Sequence, residues 1–153
     1  MEMEVKLLFL QSLEQYNKIN MAHFTELDEN NIVLRSVAAC NQDISNNGGE
    51  QSNEAAEHFK TIVPFSDNGV KWIQTSYNNN FRGHYAIVGD TYDESLNLFI
   101  RPKPYPSWIL NTSTGYYEAP VEFPSEYIAF KNYGTWDETN QVWILDPQYE
   151  FLD

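Results

Sequence analysis

The residues best suited to acid–base or metal chemistry are three histidines, which lie far apart in the sequence. His23, His58 and His84 form no pair at helical spacing and no His-x-His pair, so the local spacing of a zinc site is absent. A site assembled in three dimensions from His84, Asp90 and Asp93 is an alternative to ordinary strand and turn residues. Structural roles are the more economical interpretation, and we expect no metal ion and no cofactor.

The other residues that could bind a metal ion or act as a nucleophile lie in acidic turns and at a single cysteine. The stretches DENN, DES and DETN lack the alternation of Asp and Asn that surrounds a calcium ion, so they are interpreted as solvated turn tips. Cys40 ends a hydrophobic stretch without a base nearby in sequence, and we expect a buried, inert thiol. No nucleophile motif or phosphate loop is found, so the sequence predicts no catalytic residue and no enzyme.

Aromatic side chains are the feature that most suggests a binding site. Ten Tyr, nine Phe and four Trp make up 15% of the 153 residues, and they concentrate after Phe65. Strand alternation would place some of these rings outward, where aromatic residues serve protein interfaces or sugar stacking. Core packing is an equal alternative for any single ring. The predicted binding residues are Tyr105, Trp108, Tyr116, Tyr117, Trp136 and Trp143.

The net charge of −13 restricts the partners of this chain. Nine Lys and Arg face 22 Asp and Glu, and the cations are scattered, so no basic stripe exists for a nucleic-acid backbone. No apolar run approaches the ~18 residues of a membrane span. The first eleven residues, MEMEVKLLFLQ, differ from a secretory signal because they begin with acidic residues. We therefore expect no nucleic-acid partner, no membrane insertion and no secretion through a signal peptide.

A sequence rich in aromatic residues and interrupted by Asn and Gly predicts a mainly β fold of the β-rich α+β type, with an antiparallel sheet and one short helix. Residues 1–20 have the spacing of a weak helix and are interpreted as an N-terminal arm or an extended start. A single β-rich domain is predicted at 21–153. Its predicted elements are strands at 22–27, 32–39, 70–77 and 84–89, a loop at 41–51, and a helix at 54–63 capped by Ser52 or Asn53.

One local motif recurs along the chain: an acidic or amide-rich turn between large apolar residues. Its copies are 27–34, 92–99, 110–117 and 136–143. Asp or Asn at the start of the turn accepts hydrogen bonds from backbone amides ahead, and Asn or Gly later tolerates positive φ. Pro102, Pro120 and Pro147 follow three of the copies and cannot donate to a ladder. The region 92–146 is therefore predicted to be a series of proline-terminated β-hairpins.

Several blocks of the sequence can be compared with a known pattern. They are WIQTSYN (72–78), YAIVGDTYD (85–93), PKPYPSW (102–108), APVEFP (119–124) and WDETNQVW (136–143). These blocks resemble a family of small uncharacterised proteins encoded by marine tailed bacteriophages, including phages of cyanobacteria and of abundant marine heterotrophs. The resemblance covers about residues 21–146, and the proline-aromatic block is its most specific part. It implies a phage-encoded virion or tail component without catalytic residues.

The expected function is that of a non-enzymatic bacteriophage structural or accessory protein, associated with the virion or tail. It would act through protein–protein contacts on an aromatic hairpin surface, in the virion or in the host cytoplasm during infection. Its partners would be other phage structural proteins or further copies of itself in an oligomer. Two alternatives stay open: an acidic phage effector that binds a host protein, and a carbohydrate-binding module that recognises a host glycan.

Overall fold

The computed structural model describes residues 21–125 and 134–145. Two predictions fall outside the described residues: the arm at 1–20, and the end of the last hairpin at Pro147. Within the described residues the fold is mainly β, which confirms the predicted class, but it contains two helices rather than one. The elements are β1 Met21–Leu27, β2 Val33–Cys40, α1 Asn41–Asn46, α2 Asn53–Ile62, β3 Lys71–Thr75, β4 Thr91–Asp93, β5 Leu98–Ile100, β6 Ile109–Leu110, β7 Tyr117–Glu118, β8 Gly134–Asp137 and β9 Val142–Leu145.

The largest sheet is antiparallel with the order β2-β1-β3, and α2 packs against it. Ser52 accepts a hydrogen bond from the amide of Ala55 at 3.1 Å and caps the first turn of this helix, as predicted. Phe59 of α2 stacks on Phe24 with ring centroids 4.5 Å apart and meets the edge of Trp72 at 5.0 Å. These aromatic contacts fix the helix on the sheet.

A second core joins the sheet to the hairpin β4–β5. Its members come from β1 to β5 and from the segment before β4, and all are buried. They are Leu27, Val33, Ile73, Ala86, Tyr92 and Phe99. The three-stranded sheet therefore contributes to two cores, one covered by α2 and one covered by the hairpin β4–β5. The hairpins β6–β7 and β8–β9 follow β4–β5 in the chain.

The segment 84–89, predicted as a strand, is a loop in the structure. The amide of Gly89 donates to the carbonyl of Val33 in β2, but the amides of the middle residues donate to side chains and not to a neighbouring strand. The amide of Ala86 donates to Oγ1 of Thr75 at 2.9 Å, and the amide of Ile87 donates to Oδ2 of Asp90 at 2.9 Å. The apolar residues of this stretch match the pattern of a strand. The prediction was wrong because side-chain oxygens accept hydrogen bonds from amides that would otherwise pair with a neighbouring strand.

The segment 41–51, predicted as a loop, contains the short helix Asn41–Asn46. Burial of Ile44 in the core beneath α2 stabilises this turn despite its loop-like composition. Cys40 was expected to be buried, but it is exposed. It is the last residue of β2 and pairs with Met21, the first residue of β1.

The recurring motif forms a hairpin at each of its four positions. In three copies the flanking apolar residues pair directly across the ladder, as predicted: Tyr92 with Phe99, Leu110 with Tyr117, and Trp136 with Trp143. In the copy at 27–34, Leu27 pairs with Val33, because an irregularity between Glu26 and Leu27 shifts the register. β5 and β7 end just before Pro102 and Pro120, respectively.

The turns of these hairpins use the predicted chemistry, except that Gln141 and not Asn or Gly has positive φ in the last of them. The first turn residue accepts hydrogen bonds from backbone amides ahead of it, at Asp28, Asp93, Asn111 and Asp137. A later residue adopts positive φ, between 50° and 77°, at Asn31, Asn97, Gly115 and Gln141. Local hydrogen bonding therefore specifies each turn, and the hairpins position the aromatic residues that follow.

Candidate functional site

Three of the six predicted binding residues form one cluster, which we call the tryptophan cluster: Trp108, Trp136 and Trp143. Their ring centroids are 6.3 Å apart for Trp108–Trp136, 5.9 Å for Trp108–Trp143 and 5.3 Å for Trp136–Trp143, with edge-to-face geometry. Trp136 is buried, whereas the other two are half-buried. Tyr105 packs on Trp108 at 5.4 Å and Phe123 on Trp143 at 5.1 Å. These rings chiefly contact one another, so they form a local core beneath the surface.

Polar contacts fasten the hairpin β8–β9 to the proline-rich segment before β6. The amide and Oγ of Ser107 donate to the Glu138 carboxylate at 2.8 and 2.7 Å, and Nε1 of Trp136 donates to the same carboxylate at 2.9 Å. Nε1 of Trp143 donates to the carbonyl of Val121 at 3.0 Å. The hydrogen bond from the Ser107 hydroxyl is the main cause that lowers the pKa of Glu138. The carboxylate is thus held in its charged form.

Of the three other predicted residues, Tyr105 packs on the tryptophan cluster, whereas Tyr116 and Tyr117 lie away from it. Tyr117 is in β7, with Nζ of Lys103 5.5 Å from its ring centroid. Tyr116 is 42% exposed and packs on His84 at 4.6 Å, with the Arg101 guanidinium 5.5 Å from its ring. The structure therefore brings together four of the six predicted residues and places the other two on the neighbouring hairpin.

An aliphatic face on β8–β9 was missed by the sequence analysis. Val142 is 46% and Ile144 51% exposed, and their cross-strand partners are Asp137 and Thr135. We call these four residues the aliphatic face. Alternation in the stretch VWIL was the available signal, because it places Val142 and Ile144 opposite the side occupied by Trp143.

A buried ionic network links the hairpins to the sheet. Asp90 is fully buried, and both of its oxygens accept from Nη1 of Arg101, at 2.9 and 3.0 Å. Nε2 of His84 lies 3.1 Å from Oδ2 of Asp90, and Nδ1 of His84 lies 2.8 Å from the carbonyl of Thr114. Both ring nitrogens of His84 are therefore engaged by oxygen atoms of the protein.

This arrangement determines what His84 can do chemically. The ring is buried, both nitrogens are engaged, and its neighbours hold it in place, so it has no free nitrogen for substrate. Asp93, the third member of the metal alternative, accepts hydrogen bonds in its own turn instead. Within 21–125 and 134–145, no group of three or more His, Cys, Asp or Glu residues is placed to hold a metal ion.

Comparisons with known proteins do not extend this description. Neither a family model, nor a curated protein, nor a solved structure matches the chain. In the part of the chain that the structure describes, no helix has both the length and the apolar composition needed to span a membrane. The function must therefore be inferred from the residues and surfaces of the molecule itself.

Proposed function

We propose that this chain is a non-enzymatic structural or accessory protein of a tailed bacteriophage, and that it works by binding another protein of the virion. The support for a phage origin is the set of sequence blocks, above all the proline-aromatic block at 102–108. The support for protein binding is the hairpin β8–β9, whose aliphatic face is exposed on a firmly held element.

The aliphatic face is the observation that carries this proposal. Val142 and Ile144 are both about half exposed and neighbour each other on one side of a strand. The tryptophan cluster and the Ser107–Glu138 contact hold the other side of the hairpin, so little conformational entropy would be lost when a partner binds. A preorganised apolar face of this kind suits protein association.

Charge decides which partner fits. The chain has a net charge of −13, so a second copy would be repelled at long range. Asp137 lies directly across from Val142, and the side chain of Asn140 is the main cause that lowers the pKa of its carboxyl. The aliphatic face therefore has a carboxylate at its border that stays charged in mildly acidic solution. We commit to a partner protein with an apolar patch bordered by Lys and Arg.

A non-enzymatic role is supported by the state of the best acid–base pair in the described residues. His84 and Asp90 are buried and bonded to each other and to fixed neighbours. A general base needs a free atom within reach of its substrate. This pair has none, so we assign it to stability rather than to chemistry.

The direct experiment is mass spectrometry of purified virions of the phage that encodes the chain. We expect the chain at a constant ratio to the major capsid protein after a high-salt wash, because apolar contacts resist salt. If the chain is abundant in infected cells but absent from the particles, the proposal is wrong and the effector alternative is favoured.

A pair of charge substitutions tests the surface itself. We expect phage carrying Ile144→Lys to yield particles that lack the chain, because the substitution places an ammonium group in the apolar contact. Leu96→Lys is the matched control, since Leu96 is an aliphatic residue 43% exposed on the β4–β5 turn. Circular dichroism of both purified variants verifies folding. Loss of the chain from both particles, or from neither, contradicts the assignment of this face.

A further inference from the structure

A cleft of about 490 Å³ lies at the open end of the main sheet, away from the residues used above. It is formed by the start of β1, the end of β3 and the loop that follows β3, and it opens to solvent. Its volume is within the range of small-molecule sites, roughly 300–1,000 Å³. The residues lining it that matter here are His23, Glu50, Ser76, Tyr77, Asn78 and Asn80.

Aromatic rings form one wall of this cleft. Tyr77 stacks on His23 with centroids 5.5 Å apart, and Tyr85 meets the edges of both rings at 5.4 and 5.6 Å. Tyr77 nevertheless remains 68% exposed. One face of its ring is thus supported by His23, while much of the residue is open to a ligand. Nδ1 of His23 is buried and has no hydrogen-bond partner among the described residues.

Neutral polar groups form much of the remaining wall, beside Glu50 and a few apolar residues. Oγ of Ser76 accepts from the amide of Asn80 at 2.9 Å, and Oδ1 of Asn79 accepts from the amide of Tyr85 at 2.8 Å. These bonds fix the loop, which leaves the side-chain amides of Asn78 and Asn80 at an exposed rim. Glu50 is the only carboxylate among the described lining residues, and no Lys or Arg is among them.

We propose that this cleft binds a neutral saccharide, with Tyr77 as the stacking platform. The C–H face of a pyranose ring packs on an exposed aromatic ring, and its hydroxyl groups bond to amide, hydroxyl and carboxylate groups. Phosphate or another anion would meet Glu50 without a Lys or Arg to balance it. A quaternary ammonium ion needs rings arranged around it, whereas these rings pack on each other.

The test is an NMR titration of the ¹⁵N-labelled full chain with neutral disaccharides, namely cellobiose, maltose and chitobiose. We expect saturable shifts of the amides at 76–81 with at least one of them, and a Kd of about 1 mM or tighter. Digalacturonate serves as the anionic comparison and should produce smaller shifts. If no neutral disaccharide gives a saturable shift, or only the anionic one does, the proposal is wrong.

Variants then separate stacking from a general effect on the fold. Tyr77→Ala should weaken binding at least about tenfold, whereas Tyr77→Phe keeps the ring and should stay within about threefold of the parent chain. Leu96→Ala is a control on a different exposed turn and should bind like the parent. A Tyr77→Ala chain that binds with unchanged affinity would place the saccharide elsewhere and overturn the assignment. The virion experiments do not involve Tyr77, so the two proposals can fail independently.

Discussion

At the scale of single residues, the notable feature is a pair of carboxylates that are fully buried, Asp90 and Glu26. Asp90 pairs with Arg101 and lies within hydrogen-bonding distance of His84, and Glu26 pairs with Arg35 across β1 and β2. A buried charge is tolerated only when it is paired and hydrogen-bonded. The sequence favours an ordinary strand or turn role for Asp90 and does not single out Glu26, because a sequence does not show which acids will be enclosed by later elements.

Asp90→Ala should lower the free energy of unfolding by about 3 kcal/mol. The substitution leaves Arg101 and His84 without their shared partner in a buried site. Urea denaturation followed by tryptophan fluorescence measures the loss. Asp67→Ala, at an exposed acid, is the matched control and should stay within about 0.5 kcal/mol of the parent. Equal stability of the two variants would refute the structural role of the network.

Acid should weaken the contact between Ser107 and Glu138. The Glu138 pKa is lowered in the folded chain, mainly by the Ser107 hydroxyl, from its ordinary value of 4.5. Because the pKa of Glu138 is lower in the folded chain than in the unfolded chain, the charged carboxylate stabilises the fold. This stabilisation is complete above pH 4.5 and is lost as the pH falls through the lowered pKa. Urea midpoints of the parent and of Ser107→Ala should therefore differ at pH 7 and converge toward pH 3. A difference that is independent of pH would show that Glu138 is not involved.

At the scale of elements, the hairpins were the most predictable part of this chain. Each turn is encoded by residues within a few positions, as Asp93 and Asn97 show, so no distant contact is needed to specify it. The strand predicted at 84–89 failed for the opposite reason. Its backbone bonds to Asp90 and to the side chain of Thr75, and the second of these becomes a neighbour only after folding.

Gln141→Gly should stabilise the chain by up to about 1 kcal/mol. Gln141 has φ of 53°, a region that costs a side-chain-bearing residue energy but suits glycine. Thermal unfolding compares this variant with Gln141→Ala, which retains the Cβ and should gain nothing. A melting temperature below that of the parent for Gln141→Gly would contradict this account of the turn.

Gly115→Ala should have the opposite effect and destabilise by more than about 1 kcal/mol. Gly115 has φ of 77°, and a Cβ there would collide with the carbonyl oxygen of Phe99. The same thermal measurement tests this prediction. Gly49→Ala is the control for positive φ alone, since φ is 84° there but no atom lies within 4 Å of the added Cβ. Similar losses for both variants would show that the collision contributes little.

At the scale of the whole molecule, two aromatic cores are joined through buried polar groups. Trp72 belongs to the core under α2, whereas the tryptophan cluster belongs to the hairpins. Arg101 and Asp90 lie between the sheet and the β6–β7 turn, where the amide of Arg101 also donates to the carbonyl of Gly115 at 2.9 Å. We infer that this link makes the two parts unfold together.

The parent chain should therefore show one unfolding transition. Far-UV circular dichroism reports chiefly on the helices, and near-UV dichroism reports chiefly on the tryptophans, three of the four being in the tryptophan cluster, so the two curves should coincide. Asp90→Ala should separate them, with the near-UV signal lost first because the hairpins have the smaller core. Two separate transitions in the parent would show that the network does not couple the cores.

The candidate sites were only partly predictable. The sequence predicts Trp108, Trp136 and Trp143 as binding residues, and the structure places their rings in contact with one another, while their role in binding stays a prediction. Whether a ring contacts solvent or another ring depends on how separate hairpins pack together, and no local pattern records that. The cleft beside Tyr77 was missed for the same reason, since its walls come from β1, β3 and a loop that are distant in sequence.

The strand order β2-β1-β3 has a consequence for synthesis on the ribosome. β1 and β2 can pair as soon as they emerge, but the other edge of β1 has no partner until Lys71–Thr75 has been made. At about 5–20 residues per second, this edge is open for a few seconds in every nascent chain. β1 carries Phe24 and Leu27, so its open edge is the position where newly made chains would join one another at high expression. Slower initiation or a chaperone that covers this edge should raise the yield of folded protein.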